Sequence, residues 1–222
     1  MFNFLITGEG GLTAAGYGVS AGAGIFLFLA GSLVKGHVQK GNRISTRQMV
    51  FCSMAMALAF LTSYIKLFSA PWGGSITLCS MLFICLIGYW YGVRAGVLTG
   101  LAYGILQFLQ EPFVLSLFQV CCDYILAFAA LGLAGLFSKS KNGLLKGYFL
   151  GILVRGAFHS LGGYLYWMEY MPETFPQALR PVYPIVYNYS YILAEGIITA
   201  TILSLPPVTK ALSQVRQKAI EP

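Results

Sequence analysis

VLSLFQVCCDYILAFAALGLAGLF, residues 114–137, is a run of lipid-compatible side chains interrupted by a single acid, Asp123. A helix needs about 20 mostly apolar residues to cross a bilayer, and this run supplies them. A carboxylate near the membrane centre costs roughly 2.5–3.5 kcal/mol on insertion scales, so Asp123 requires a polar partner or a task. Comparable apolar runs occur at 12–34, 48–68, 76–91, 93–110, 143–168 and 182–206. With 57% hydrophobic and only 9% charged residues, the chain departs far from the roughly 25% charge of soluble domains. The reading is an all-α integral membrane protein, with one additional N-terminal helix (1–45, including a basic loop), a six-helix core (46–210) and a tail (211–222). The weakest boundary is at Gly92, where a tight helical hairpin is the alternative to a short break.

A net charge of +7 does not mark a nucleic-acid binder, because the basic residues sort by side of the membrane. Lys35, Lys40, Arg43, Arg47, Arg94, Lys139, Lys141, Lys146, Lys210, Arg216 and Lys218 fall in alternate connections and in the tail. The other connections hold Glu9, Glu111, Glu169 and Glu173, with Lys66 and Arg180 as their basic members. The positive-inside rule then places the chain in the cell membrane with its N-terminus outside and its C-terminus cytoplasmic. No basic stretch precedes the first run, so a cleaved signal peptide is not expected. Cys52, Cys79, Cys85, Cys121 and Cys122 all lie within spans, without metal-ligand or disulfide spacing, and read as small apolar filler. Small residues four apart, Ala55 with Ala59 and Gly96 with Gly100 and Gly104, allow helices to approach closely. The Ala55 and Ala59 pair also admits a second reading, as a face for another protein.

Depth along the helices gathers several polar residues. Asp123 lies ~14 Å from the outer end of its span and His159 at a similar depth, while Asn188 lies ~9 Å down the last span. Trp72, Trp167 and Tyr183 sit just above them. His159, Gly163 and Trp167 share one helical face, with Gly163 leaving room for a planar ligand between two rings. Each residue taken singly also fits a bland role, the aromatics as an interfacial belt and Asn188 as glue between helices. Arg155 and Glu195 lie deeper, and mutual pairing is the simplest expectation for them. Asp123, His159 and Glu195 read alternatively as a proton relay in a self-sufficient carrier. An enzyme is not expected, since no nucleophile elbow, His-Glu-x-x-His or paired-Asp motif accompanies these groups.

Ala70-Pro71-Trp72-Gly73-Gly74-Ser75-Ile76-Thr77-Leu78, Gln119-Val120 with Asp123-Tyr124, His159 through Gly163 to Trp167, and Tyr183 with Asn188 occur in this order. In these motifs residues 46–206 resemble the thiamine-specific S components of energy-coupling factor (ECF) transporters. The resemblance implies a subunit that captures thiamine from outside and needs no cofactor. Its implied partners are a transmembrane coupling subunit and two ABC-type ATPases, consistent with the lack of a phosphate-loop motif here. It also implies ligand contacts from Trp72, Asp123, Tyr124, His159, Gly163, Trp167, Tyr183 and Asn188, and docking of the coupling subunit on Ala55 and Ala59. Phe113 stands where a Tyr is expected, and the segment between Trp167 and Tyr183, with Pro172, Pro176 and Pro181, is longer than usual. An S component for a different vitamin is the nearest alternative.

Overall fold

The computed structural model describes residues 13–15, 17–18, 44–71 and 73–220. Most of the expected N-terminal span 12–34 lies outside these residues, as does Trp72. Helix α1, Thr46–Ser63, starts where the Ser45 hydroxyl accepts the Gln48 N–H at 3.1 Å. It is followed by strands β1, Lys66–Ser69, and β2, Ser75–Thr77. Next come helices α2, Ser80–Tyr91, and α3, Val93–Gln110, then the continuous helical rod α4, Leu117–Phe137. Helix α5 is Gly143–Tyr166, α6 is Tyr183–Ser204 and α7 is Pro206–Ile220. The break at Gly92 is real: its φ of 90° is open to glycine and strained for other residues, and it divides α2 from α3.

Two expectations about the chain path are corrected. The runs 48–68 and 76–91 are not simple spans, because their facing ends form an antiparallel hairpin with Lys66 opposite Thr77 and Ser69 opposite Ser75. Gly73 and Gly74, at φ 88° and 83°, turn the chain, and the Ala70 N–H closes the loop on the Gly74 carbonyl at 2.9 Å. Leu67 and Phe68 extend the apolar run of α1 in sequence, and a short apolar run cannot by itself distinguish helix from strand. The second correction concerns α1, where Ala55 and Ala59 are buried, at 7% and 0% exposure, rather than offered to a partner. Helix α1 lies against α2, and the Tyr103 hydroxyl of α3 donates to the Ala59 carbonyl at 3.0 Å. Met49, Met54, Leu58 and Leu61 form its exposed apolar face instead.

The rod α4 is the centre of the bundle, held on two sides by backbone rather than by side chains. A Cβ on Gly100 would come within 2.4 Å of the Phe128 carbonyl oxygen, and one on Gly104 within 2.2 Å of that of Tyr124. From α5, a Cβ on Gly147 would meet the Ala134 carbonyl at 2.6 Å. The glycine ridge Gly96, Gly100 and Gly104 therefore brings α3 into backbone contact with α4. Within α4 the turn Cys121–Leu126 widens to π-helical geometry, a local expansion often found at functional sites, and it carries Asp123 and Tyr124.

Among the described residues, α4 alone is long and apolar enough by itself to cross a membrane. Gln177–Ser204 and Pro206–Ile220 meet the same test only as a pair, bent by 84°. The other helices dilute their apolar content with the glycines that pack on α4 and with polar residues turned inward, such as Ser63, Gln107 and Gln110.

Gly132→Val places a branched side chain where even a Cβ would lie 2.1 Å from the Val97 nitrogen. The expected outcome is loss of the monodisperse, detergent-solubilised species on size exclusion, whereas Leu136→Ala, at a 63% exposed position, leaves it intact. Equal behaviour of the two variants would contradict the central role of the α3–α4 contact.

Candidate functional site

Between the hairpin, α3, α4, α5 and α6 lies a cavity of about 690 Å³, within the usual range for small-molecule sites. The widened turn of α4 directs Asp123 into it. One Asp123 oxygen faces Nδ1 of His159 from α5 at 3.2 Å, and the other accepts from the Gln119 amide at 2.8 Å. Gln119, 1% exposed, is itself fixed because its carbonyl oxygen accepts the Leu115 N–H at 3.1 Å. Gly162 leaves space for the carboxylate, since a Cβ there would lie 2.9 Å from the Asp123 Oδ1. Asp123 is thus a braced negative charge in a cavity wall, with His159 Nε2 buried and without a hydrogen-bond partner among the described residues.

Aromatic rings line the same space. Trp167, at the end of α5, packs in tilted geometry on Phe113 with centroids 4.7 Å apart and on Tyr170 at 5.1 Å. Phe113, the expected departure from tyrosine, therefore contributes a ring face where a hydroxyl was anticipated. Tyr124 turns its hydroxyl to the connection between α3 and α4, donating to the Glu111 carbonyl at 2.7 Å and accepting the Phe113 N–H at 3.1 Å. Tyr124 thereby fixes the segment that presents Phe113.

The hairpin closes one side of the cavity. Its tip is tied to α6 by the Tyr187 hydroxyl, which donates to the Gly73 carbonyl at 3.0 Å, while Gly74 lies against the Tyr191 ring. Its base is tied by Glu195, one of whose oxygens accepts both the Thr77 N–H and the Thr77 hydroxyl at 2.7 Å each. Lys66 pairs with Glu111 across the rim.

Of the residues named from sequence, Asp123, Tyr124, His159 and Trp167 line this cavity. Gly163, Tyr183 and Asn188 do not; with Trp167 and Tyr170 they line a separate crevice of about 40 Å³. The slot expected at Gly163 is occupied by α6, whose Pro184 Cβ and Asn188 Nδ2 would lie 3.0 and 3.1 Å from a Cβ there. Asn188 is a brace: it donates to the Pro184 carbonyl at 2.8 Å and to that of His159 at 3.3 Å, and accepts the Tyr191 hydroxyl at 2.7 Å. The expected pairing of Arg155 with Glu195 is also absent among the described residues. The Arg155 guanidinium instead lies 4.0 Å from the centroid of the Phe128 ring. Gln107, Gln110, Gln119, Thr77 and Ser80 were not singled out as wall residues. Their signal in the sequence is a polar side chain at an end of an otherwise apolar helix or strand.

These features define a helical membrane protein with a ligand-sized cavity that combines one braced carboxylate with aromatic faces. The chain belongs to the thiamine transporter protein family, whose model matches residues 49–214. It is 35% identical over 156 residues to the "Thiamine transporter ThiT" of Bacillus subtilis (strain 168), covering 62% of this chain and 77% of that protein. The solved structure of ThiT from Listeria monocytogenes has the same fold, with a TM-score of 0.57 and 24% identity, covering 72% of this chain and 94% of that one. The fold of a six-helix S-component core therefore holds, and the sequence expectation on family is correct.

Asn188→Leu removes three hydrogen bonds in a buried place and strands the Tyr191 hydroxyl, at a cost of roughly 1–3 kcal/mol. A clear fall in the melting temperature of the purified protein is expected. An unchanged melting curve would contradict the bracing role.

Proposed function

We propose that this chain is the thiamine-binding S component of an ECF-type uptake transporter. The observation that carries this reading is the Asp123 carboxylate, held by Gln119 and His159, beside the ring faces of Phe113, Trp167 and Tyr170. Thiamine presents a permanently cationic thiazolium ring and an aminopyrimidine. A desolvated cation against an aromatic face gains ~2 kcal/mol, and a nearby carboxylate adds Coulomb attraction that water does not screen in a buried site. The aminopyrimidine offers donors and acceptors that match the His159 Nε2, the Asp123 oxygens and the glutamine amides. In this reading Asp123, Tyr124, His159 and Trp167 form the wall, Gly163, Tyr183 and Asn188 line the crevice behind it, and Trp72 is a further expected ligand contact.

The cavity mouth lies on the side of Glu111 and the 168–182 segment, opposite the ends that carry Arg94, Lys139, Lys141 and Lys146. That distribution supports an extracellular mouth, an outer N-terminus and a cytoplasmic C-terminus in the plasma membrane. The sequence carries no phosphate-loop motif, which supports energy supply by separate partners, a transmembrane coupling subunit and two ABC-type ATPases. The chain acts as a binding subunit and not as an enzyme.

Titration of the detergent-solubilised protein with thiamine, followed by tryptophan fluorescence, tests this reading. Saturable quenching at submicromolar thiamine is expected, with little response to riboflavin or pyridoxine. Asp123→Ala should weaken binding by about tenfold or more, as expected for losing the counter-charge of a buried cation. A folded protein that does not respond to thiamine would overturn the assignment.

A further inference from the structure

A second cavity, of about 440 Å³, opens at the end of the bundle remote from the ligand site, between the end of α2, the start of α5, the end of α6 and α7. The chain bends by 84° at Leu205, where extended backbone interrupts the helix and Pro206 starts the next one. Helix α7 therefore runs across the bundle end rather than continuing α6. Val208, Leu212 and Arg216, spaced four apart, share one face of α7. The first two pack on the hydrophobic core, and the Tyr91 hydroxyl of α2 fixes the far end of α7 by donating to the Ala219 carbonyl at 2.8 Å. Arg216 is thus a cation on the inward face of an amphipathic helix. Its guanidinium lies 5.1 Å from the Tyr89 ring centroid, with Nε buried and without a hydrogen-bond partner among the described residues. No carboxylate pairs with it among those residues, and its side chain lines the cavity.

We propose that this cavity seats an anionic phospholipid, with its phosphate on Arg216 and an acyl chain along the apolar wall. Three observations converge on an anion. Arg216 is a guanidinium without a counter-charge, and its planar fork of donors matches phosphate oxygens. The first turn of α5, at Asn142–Leu145, belongs to the same wall, and the Asn142 side chain does not cap it, so the positive end of a 24-residue helix is left at the cavity. Lys139, Lys141 and Lys146 flank that turn in sequence and Lys210 and Lys218 lie on α7, all exposed. The described acids, Glu111, Asp123, Glu169, Glu173 and Glu195, lie in the ligand cavity or in the 168–182 segment, at the other end of the molecule. The remaining wall decides which anion. Trp90, Leu144, Leu203 and Leu212 present an apolar surface that a small hydrated ion leaves unused and an acyl chain covers. Basic pockets between membrane helices hold acidic headgroups in this way, and α7, nearly perpendicular to α6, is placed to lie in the interface where headgroups are found.

Native mass spectrometry of the delipidated, detergent-solubilised full chain, titrated with phosphatidylglycerol and with phosphatidylcholine, tests the proposal. The wild type should retain one phosphatidylglycerol at about tenfold lower lipid concentration than phosphatidylcholine, the effect expected of one charge-assisted contact in a partly buried place. Arg216→Gln should bring the two lipids to within about threefold of each other. Ser213→Glu, at an exposed position in the same wall, sets a carboxylate against the phosphate and should do the same with the fold intact. Equal retention of the two lipids by the wild type would overturn the site, and so would an unchanged preference in a folded Arg216→Gln protein. If that variant does not fold, Ser213→Glu decides by the same criterion. Displacement of phosphatidylglycerol by excess inorganic phosphate would overturn the lipid as occupant in favour of a soluble anion. None of these outcomes depends on whether thiamine binds in the other cavity.

Discussion

The close approach of α3 and α5 to the rod Leu117–Phe137 is the contact on which the rest of the structure depends. Gly100, Gly104 and Gly147 put backbone against backbone, so α4 has almost no freedom to rotate or slide without collision. Rotation by even a fraction of a turn would drive carbonyl oxygens into the facing glycines. The phase of α4 fixes the direction of Asp123, and the widened turn Cys121–Leu126 moves that side chain off the contact and into the cavity. Where the small residues run out, large ones hold the helices apart. Trp167, Phe113, Tyr170 and Tyr191 occupy the half of the bundle nearer the hairpin, and they line the cavity. Tight contact below and separation above are two results of one distribution of residue sizes.

Electrostatics follow the same division by depth. The upper pair, Asp123 with His159, is internally satisfied apart from one ring nitrogen, and it carries a single acid toward the aromatic faces. The lower groups, Arg155 and Glu195, are individually anchored, one by Phe128 and the other by Thr77, but are not joined. Each charge is anchored to a different element, and the link from Glu195 to Thr77 connects the cavity floor to the base of the hairpin.

Much of this was legible in the sequence because it depends on content and spacing along one helix. The spans 93–110, 114–137, 143–168 and 182–206 coincide with α3 to α6 to within a few residues, and glycines four apart signal a close helix approach on α3, though not which helix it meets. Asp123 and His159 stood out as costly residues at matching depth. What the sequence hides is the rotation of one helix relative to another. Ala55 and Ala59 make the same pattern whether their ridge faces a partner or α2, and burial settled it. Gly163 signals space beside a backbone without saying that Pro184 and Asn188 fill it. Arg155 and Glu195 share a depth, which suggests pairing, but the stack on Phe128 and the donors of Thr77 depend on side-chain directions that no one-dimensional pattern carries. The hairpin was missed because Leu67 and Phe68 prolong an apolar run whose secondary structure is decided by Gly73 and Gly74 further on.

An experimental structure of the purified chain bound to thiamine tests the central claim most directly. Ligand density is expected inside the cavity, with the thiazolium ring beside the Asp123 carboxylate and Trp167 against a ring face. Density elsewhere on the protein, or a ligand in the cavity that makes no approach to Asp123, would contradict it.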